Sequence, residues 1–316
     1  MTLSAISFSA FGQPEFWIGV GVLAGLYGIF ALGLQLNVGF TGIINFGQVG
    51  FMSVGAYAMA ILVLKAHWSF WLAPPAASAI AIGAGLLIGL SSLRLRADYF
   101  AIATIAFAEI IRYVAENARG LTNGNIGLLG FDSSWVSVSG SIQSWLSTSE
   151  IQLPLLLVTW VLLAGLTFVM VRVQRSPWGR VLRAVREDED AARALGKNVF
   201  SYKLQSLAIA ALLGSVAGYL LALDLAYLSP DQFDPSVTFT GYAVLILGGL
   251  ASYVGIAAGT AILWVLLEGT RFINLPLSAE QIAALRFVIV GVVLIGLMAF
   301  RPEGLFGKRE EMVLGG

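Results

Sequence analysis

Ionisable and polar side chains are scarce in this chain, so each one inside an apolar stretch is a candidate for chemistry. Glu109 and Arg112 stand three apart within residues 98–117, and Glu268 and Arg271 repeat that spacing within residues 254–272. Three residues is nearly one helical turn, so each pair can join on one face. Charge inside a membrane span is costly and marks function by default. Two uses fit these pairs: anchoring a helix end near lipid headgroups, or docking an external protein with charged lobes. A second group, Asn37, Thr41, Asn45, Gln48 and Ser53, lies in or beside a glycine-rich stretch, with Thr104 further on. Such weak polar groups can bond helix to helix, or line a wet path that guides a zwitterion without trapping it. No catalytic constellation is visible. The absence of cysteine excludes thiolate metal sites, disulfides and cysteine nucleophiles. His67, the single histidine, leaves no histidine-rich metal site. No G-x-x-x-x-G-K-[ST] occurs, so this chain is not expected to hydrolyse ATP.

The elements that must position these residues are apolar. Of 316 residues 58% are hydrophobic and 11% charged, with a mean hydropathy of +0.86. A soluble domain carries about 25% charged residues. A chain this apolar is neither a soluble enzyme nor a disordered protein, and it lacks the basic face of a nucleic-acid binder. The expected fold is an all-α, polytopic membrane helix bundle, a single domain over residues 1–316. Crossing hydrocarbon takes roughly 20 apolar residues in a helix. The candidates are 16–36, 40–64, 69–92, 98–117, 151–171, 204–225, 237–250, 254–272 and 282–300, which gives about 8–9 spans. Segment 237–250 is short. Segment 40–64 is rich in glycine and can break or re-enter the membrane. Gly21, Gly25 and Gly28 form a small-residue stripe suited to close helix packing. Trp17, Trp68, Trp71 and His67 suit the membrane interface.

Charge sets the orientation. Residues 172–203 and 301–316 hold half of all charged residues. Basic residues mark the cytoplasmic side, which places both segments inside and the Asn- and Ser-rich stretch 118–150 outside. Arg94 and Arg96 then also fall inside. The N-terminus lacks a charged leader and is expected to be retained; its side depends on whether 40–64 crosses.

Residues 176–200 read SPWGRVLRAVREDEDAARALGKNVF. Pro177 suits a first helical turn and Gly196 a helix end. Val181, Leu182, Val185, Ala192 and Leu195 recur at helical steps, predicting one amphipathic cytoplasmic helix. Mixed charge from Glu187 to Asp190 suits a protein contact. Its simplest role is to set topology.

Asp190-Ala191-Ala192-x-x-x-Gly196 resembles the E-A-A-x-x-x-G loop of ABC-importer permeases, with Asp for Glu. Further blocks are NVGFTGIINFGQVGFMSVGAYAMAIL (37–62), RLRADYFAIATIAFAEIIR (94–112), LTNGNIGL (121–128) and RPEGLFG (301–307). In that order they resemble the branched-chain amino-acid ABC permeases of LivM type, across almost the whole chain. Two departures stand out. Residues 248–255 lack a Gly-Pro pair, and Asn123-Gly124-Asn125 replaces a Gly-Gly-Pro turn.

The resemblance implies a permease of the bacterial inner (plasma) membrane that translocates branched-chain or related neutral amino acids. It implies as partners a second, LivH-like permease, two ABC ATPase subunits that use ATP and Mg, and a substrate-binding protein. This chain itself would bind no cofactor. It further implies that the ATPase engages Arg186, Glu187, Asp188, Asp190, Ala191, Ala192, Arg193 and Gly196. Related systems carry urea or short amides, and the binding protein sets most of the selectivity. An ion-coupled secondary carrier is the competing class. It requires a midplane carboxylate or broken helices in matched halves, and no matched halves are evident in the sequence.

Overall fold

The computed structural model describes residues 12–269, 279–301 and 303–307. The helices are α1 (Pro14–Leu34), continued by a π-helix (Gln35–Thr41), α2 (Gln48–Leu64), α3 (Ala73–Ser92), α4 (Ala97–Asn117), α5 (Arg119–Thr122) and α6 (Ser133–Leu146). They continue as α7 (Leu153–Arg175), α8 (Pro177–Glu187), α9 (Glu189–Ala194), α10 (Val199–Leu225), α11 (Ser236–Gly248), α12 (Tyr253–Gly269) and α13 (Ala279–Phe300). Strands β1 (Leu128–Leu129) and β2 (Tyr227–Leu228) pair antiparallel, fastening the segment after α5 to the end of α10. Proline in the first turn starts α1, α3, α7 and α8, where its missing N–H costs nothing.

Eight of the nine apolar segments centre on one helix each; segment 40–64 instead runs from the π-helix through non-helical residues 42–47 into α2, and residues 270–272 of segment 254–272 lie outside the described residues. Four are long and apolar enough to cross a membrane alone: α1 with its π-helix, α3, α7 and α10. α11 and α12 meet that test together but are bent by 114° at their break. α2 has 17 residues. α4 has the length, but Asp98, Glu109, Arg112 and Glu116 interrupt its apolar character.

Small residues set the packing. Gly21, Gly25 and Gly28 of α1 face Leu156, Thr159 and Leu163 of α7, so the glycine stripe holds a helix contact. α1 and α10 form the centre and run antiparallel, with Asn37 beside Ser206 and Gly33 beside Ala210. α2 runs parallel to α10 and α4, through Gln48 with Ala210, Gly218 with Met52, and Gly50 with Ala108. α3 runs antiparallel to α10, through Ser78 with Ser215 and Gly89 with Leu207. α12 runs antiparallel to α1 (Tyr27 with Trp264, Phe40 with Tyr253) and to α11 (Gly248 with Gly255). The chain after α13 returns to the end of α11, where Leu305 N donates to Leu247 O.

These directions reveal matched halves that the sequence conceals. α2, α3 and α4 pack on one another as α11, α12 and α13 do, and α1, α2 and α3 run opposite to α10, α11 and α12. In each half the second helix is preceded by non-helical chain: residues 42–47 before α2, and residues 229–235, including a short 3-10 turn, before α11. The two halves share no obvious sequence because apolar residues substitute freely for one another in such packing.

Two expectations on connecting segments change. The stretch 118–150 carries α6, a 14-residue helix, rather than loop throughout. The segment 176–200 forms two helices, not one. Asp188 leaves helical backbone (φ −151°, ψ 105°), and its carboxylate accepts from the N–H groups of Asp190 and Ala191, both at 2.9 Å. It thus caps α9 and interrupts α8.

Candidate functional site

Three groups of polar residues are brought together, at different levels of the bundle. The first is α8–α9. Ser176 caps α8 and accepts from Gly179 N. Leu182, Val185 and Ala192 are buried and Val181 half-buried, but Leu195 is 79% exposed. Glu187, Asp188, Asp190, Ala191, Arg193 and Gly196 all face outward. Glu189 pairs with Arg193 and with Lys203 of α10, which ties α9 to the bundle. A shallow groove of about 310 Å³ runs past Pro177, Val181, Ala184, Ala192 and Leu195. This is a rigid, mixed-charge element with an apolar groove, the character of a protein contact.

Arg186 turns the other way. Its Nη1 donates to the carbonyl of Gly39 in the π-helix, and Gly42 packs directly against its backbone. Arg183 lies over the Phe40 ring at 5.5 Å, and Phe40 stacks on Tyr253 at the start of α12 (4.8 Å). The Gln35 side-chain amide meets the backbone of residues 249–252 between α11 and α12. α8 is therefore wired to the ends of α1 and α11 and to the start of α12.

The second group lies where α2 and α11 begin. Asn37 Oδ1 accepts from Ser206 Oγ (3.0 Å), which also bonds Thr41 Oγ1 (2.7 Å). Asn45 Nδ2 donates to Gln48 Oε1 (3.2 Å), and Gln48 Nε2 donates to Ala210 O (2.9 Å). Phe46 N donates to Thr104 Oγ1 (3.1 Å). Val49 N donates to Thr238 Oγ1 (3.2 Å) in the first turn of α11, and the Tyr242 hydroxyl donates to Asn45 O (3.0 Å). The N-termini of α2 and α11 thus meet inside the bundle. Asn37, Thr41, Asn45, Gln48, Ser53 and Thr104 are all buried. Asn37 Nδ2 and Ser53 Oγ meet no hydrogen-bond partner among the described residues. Ser206, Thr238 and Tyr242 complete this network and were not singled out from sequence, since a lone hydroxyl in an apolar helix carries no pattern.

The third group is on α4. Glu109 grips Arg112 through two guanidinium nitrogens, Nε–Oε2 at 3.1 Å and Nη2–Oε2 at 2.8 Å. Glu116 follows at 3.9 Å, and the guanidinium covers the Tyr113 ring at 4.7 Å. Asp234, ahead of α11, accepts from Ser236 N (2.8 Å) and lies within electrostatic reach of Arg112. Glu268 is buried near the end of α12, and Arg271 lies outside the described residues. Among the described residues no cluster of His, Asp or Glu is placed to hold a metal.

A bundle of apolar helices with oppositely directed halves and an exposed, mixed-charge helix pair has the character of a multi-pass membrane permease. The family described as "Branched-chain amino acid transport system / permease component" matches residues 17–298. The chain is 32% identical over 303 residues to the high-affinity branched-chain amino acid transport system permease protein LivM of Escherichia coli K12, covering 91% of this chain and 69% of that protein. It is 24% identical to a probable LivM of Methanocaldococcus jannaschii (90% and 91% covered) and 26% identical to LivH of Escherichia coli K12 (91% and 93%). No solved structure matches significantly. The chain belongs to the branched-chain amino-acid transport permease family. It is a permease subunit of an ABC importer, and not an enzyme.

Proposed function

We propose that this chain carries branched-chain or related neutral amino acids across the bacterial inner membrane, as one of two non-identical permeases. Two ATPase subunits would supply ATP hydrolysis with Mg, and a binding protein would deliver the amino acid. In this reading the nine apolar helices lie in the membrane with α8–α9 and the chain after α13 in the cytoplasm. Helix directions then put the start of α1 outside. Residues 42–47 climb back from the inner side to Gln48, and residues 229–235 descend from the outer side to α11. Exposed backbone of this kind is tolerated at membrane depth only when protein or water covers it. Asn37, Thr41, Asn45, Gln48, Ser53 and Thr104 border the path at the meeting of α2 and α11, while Glu109, Arg112 and Glu268 lie toward the outer face.

The observation that carries this reading is the connection of α8–α9. One face is exposed and mixed in charge, suited to an ATPase cleft. The other face holds Gly39 and Phe40 through Arg186 and Arg183. Movement of α8 would pull the π-helix that leads into residues 42–47. The test is gentle extraction of the tagged chain from native membranes. Co-purification of a second permease and two P-loop ATPases is expected. Recovery of the chain alone, in every mild detergent tried, would overturn the reading.

A further inference from the structure

The flank of α4 that turns toward α11 is chemically unlike the rest of the outer surface. α3 and α7 show exposed apolar side chains such as Leu87, Leu90, Val161 and Phe168, with no ionisable group from Ala73 to Ser92 or from Leu153 to Val171. Those faces suit lipid. On α4, Glu109, Arg112 and Glu116 recur at helical steps and remain 28%, 18% and 33% exposed. Asp234 is exposed beside them, and Phe239 in the first turn of α11, 50% exposed, packs against Phe46 of the non-helical stretch 42–47.

Depth excludes the two simple occupants. Glu109 lies twelve residues into the 21-residue α4, about 18 Å along it at 1.5 Å per residue. Lipid tails cannot solvate these carboxylates or the open backbone. A soluble protein cannot reach this level, and exposed Phe239 does not suit bulk water. What remains is a membrane-embedded partner that covers the apolar residues and leaves water beside the charges. Two kinds of relative, LivM and LivH, each match about nine-tenths of this chain, so a partner of the same fold exists in chemistry and size.

Building on the proposed two-permease importer, we infer that the α4–α11 face is where the second permease packs. Glu109, Arg112, Glu116 and Asp234 line the wet outer half of the cleft between the two permeases. Their alternating charge matches the ammonium and carboxylate of an amino acid. α3 and α7 face lipid.

The chain lends itself to site-directed photocrosslinking at exposed aromatic positions. A benzophenone amino acid replaces Tyr113, Phe239 or, on α7, Phe168, in the full transporter with its second permease tagged. Each variant is first checked for ATP-driven amino-acid uptake. From Tyr113 and Phe239, adducts with the tagged permease should exceed those from Phe168 at least tenfold. Adducts with the second permease from Phe168, or lipid adducts alone from Tyr113 and Phe239, in a complex that still drives uptake, would overturn the assigned face and leave the transport function standing. Loss of ATP-driven uptake in the unmodified complex would instead remove the function reading itself.

Discussion

Arg186 on α8 holds the carbonyl of Gly39, 147 residues earlier, at the last turn of the π-helix that ends α1. This bond joins the exposed charged element to the chain leading into the centre of the bundle. π-helical turns are rare and recur at functional sites. Here the turn ends at Gly42, whose φ of +75° redirects the chain toward Asn45.

Arg186→Ala should loosen that joint without preventing ATPase binding. A hydrogen bond to a charged donor contributes about 1.5–3 kcal/mol, and every 1.4 kcal/mol is about tenfold in an equilibrium. The ratio of amino acid transported to ATP hydrolysed, measured in proteoliposomes, should fall roughly tenfold or more. Arg186→Lys should fall less, because it keeps one donor. An unchanged ratio in Arg186→Ala would sever the proposed linkage.

Gly42→Ala tests the turn itself. The left-handed backbone costs an L-residue roughly 1–2 kcal/mol, and a Cβ at Gly42 would stand 3.3 Å from Arg186 Cα. The apparent Tm in detergent should drop by several degrees. Gly165→Ala, where a Cβ meets nothing within 4 Å, should leave it unchanged or raised, since alanine favours helix.

Thr238 is the acceptor for the Val49 amide at the start of α2. Thr238→Val keeps the shape and removes the acceptor, leaving a buried N–H unsatisfied at a cost of about 1–3 kcal/mol. Hydrogen exchange at the first turn of α2 should quicken by about tenfold. Thr238→Ser should behave like the parent. Equal exchange in all three proteins would show that the two helix ends do not depend on each other.

Asp188→Ala removes the cap of α9. Such substitutions cost about 1 kcal/mol, so α9 should fray and the ATPase should bind more weakly, by roughly threefold to tenfold in a pull-down titration. Full affinity would mean that the break between α8 and α9 is irrelevant to docking.

What the sequence made legible was local. Eight of the nine apolar segments centre on one helix each, because length and hydropathy are properties of a short window; segment 40–64 is broken at residues 42–47. The glycines at 21, 25 and 28 were readable as a packing stripe, since their spacing alone sets one face. The break at Asp188 was missed because the hydrophobic rhythm from Val181 to Leu195 continues through it; only the backbone shows the aspartate turning to cap α9. The meeting of α2 and α11 was invisible, because Val49 and Thr238 are 189 residues apart. The α6 helix was hidden by serines that read as loop. Asn45 meets Gln48 from the non-helical chain ahead of α2, whereas Ser206 and Tyr242 declare themselves only through distant partners.

In the proposed mechanism, ATP hydrolysis in partner subunits drives amino-acid movement through this chain by way of α8–α9. The most direct measurement is leucine uptake into proteoliposomes holding the whole transporter with loaded binding protein. Asp190, 91% exposed, is the position to reverse. Uptake should require ATP, survive collapse of the proton and sodium gradients, and fall at least tenfold in Asp190→Arg. Uptake that needs an ion gradient, proceeds without ATP and ignores Asp190→Arg would contradict the account.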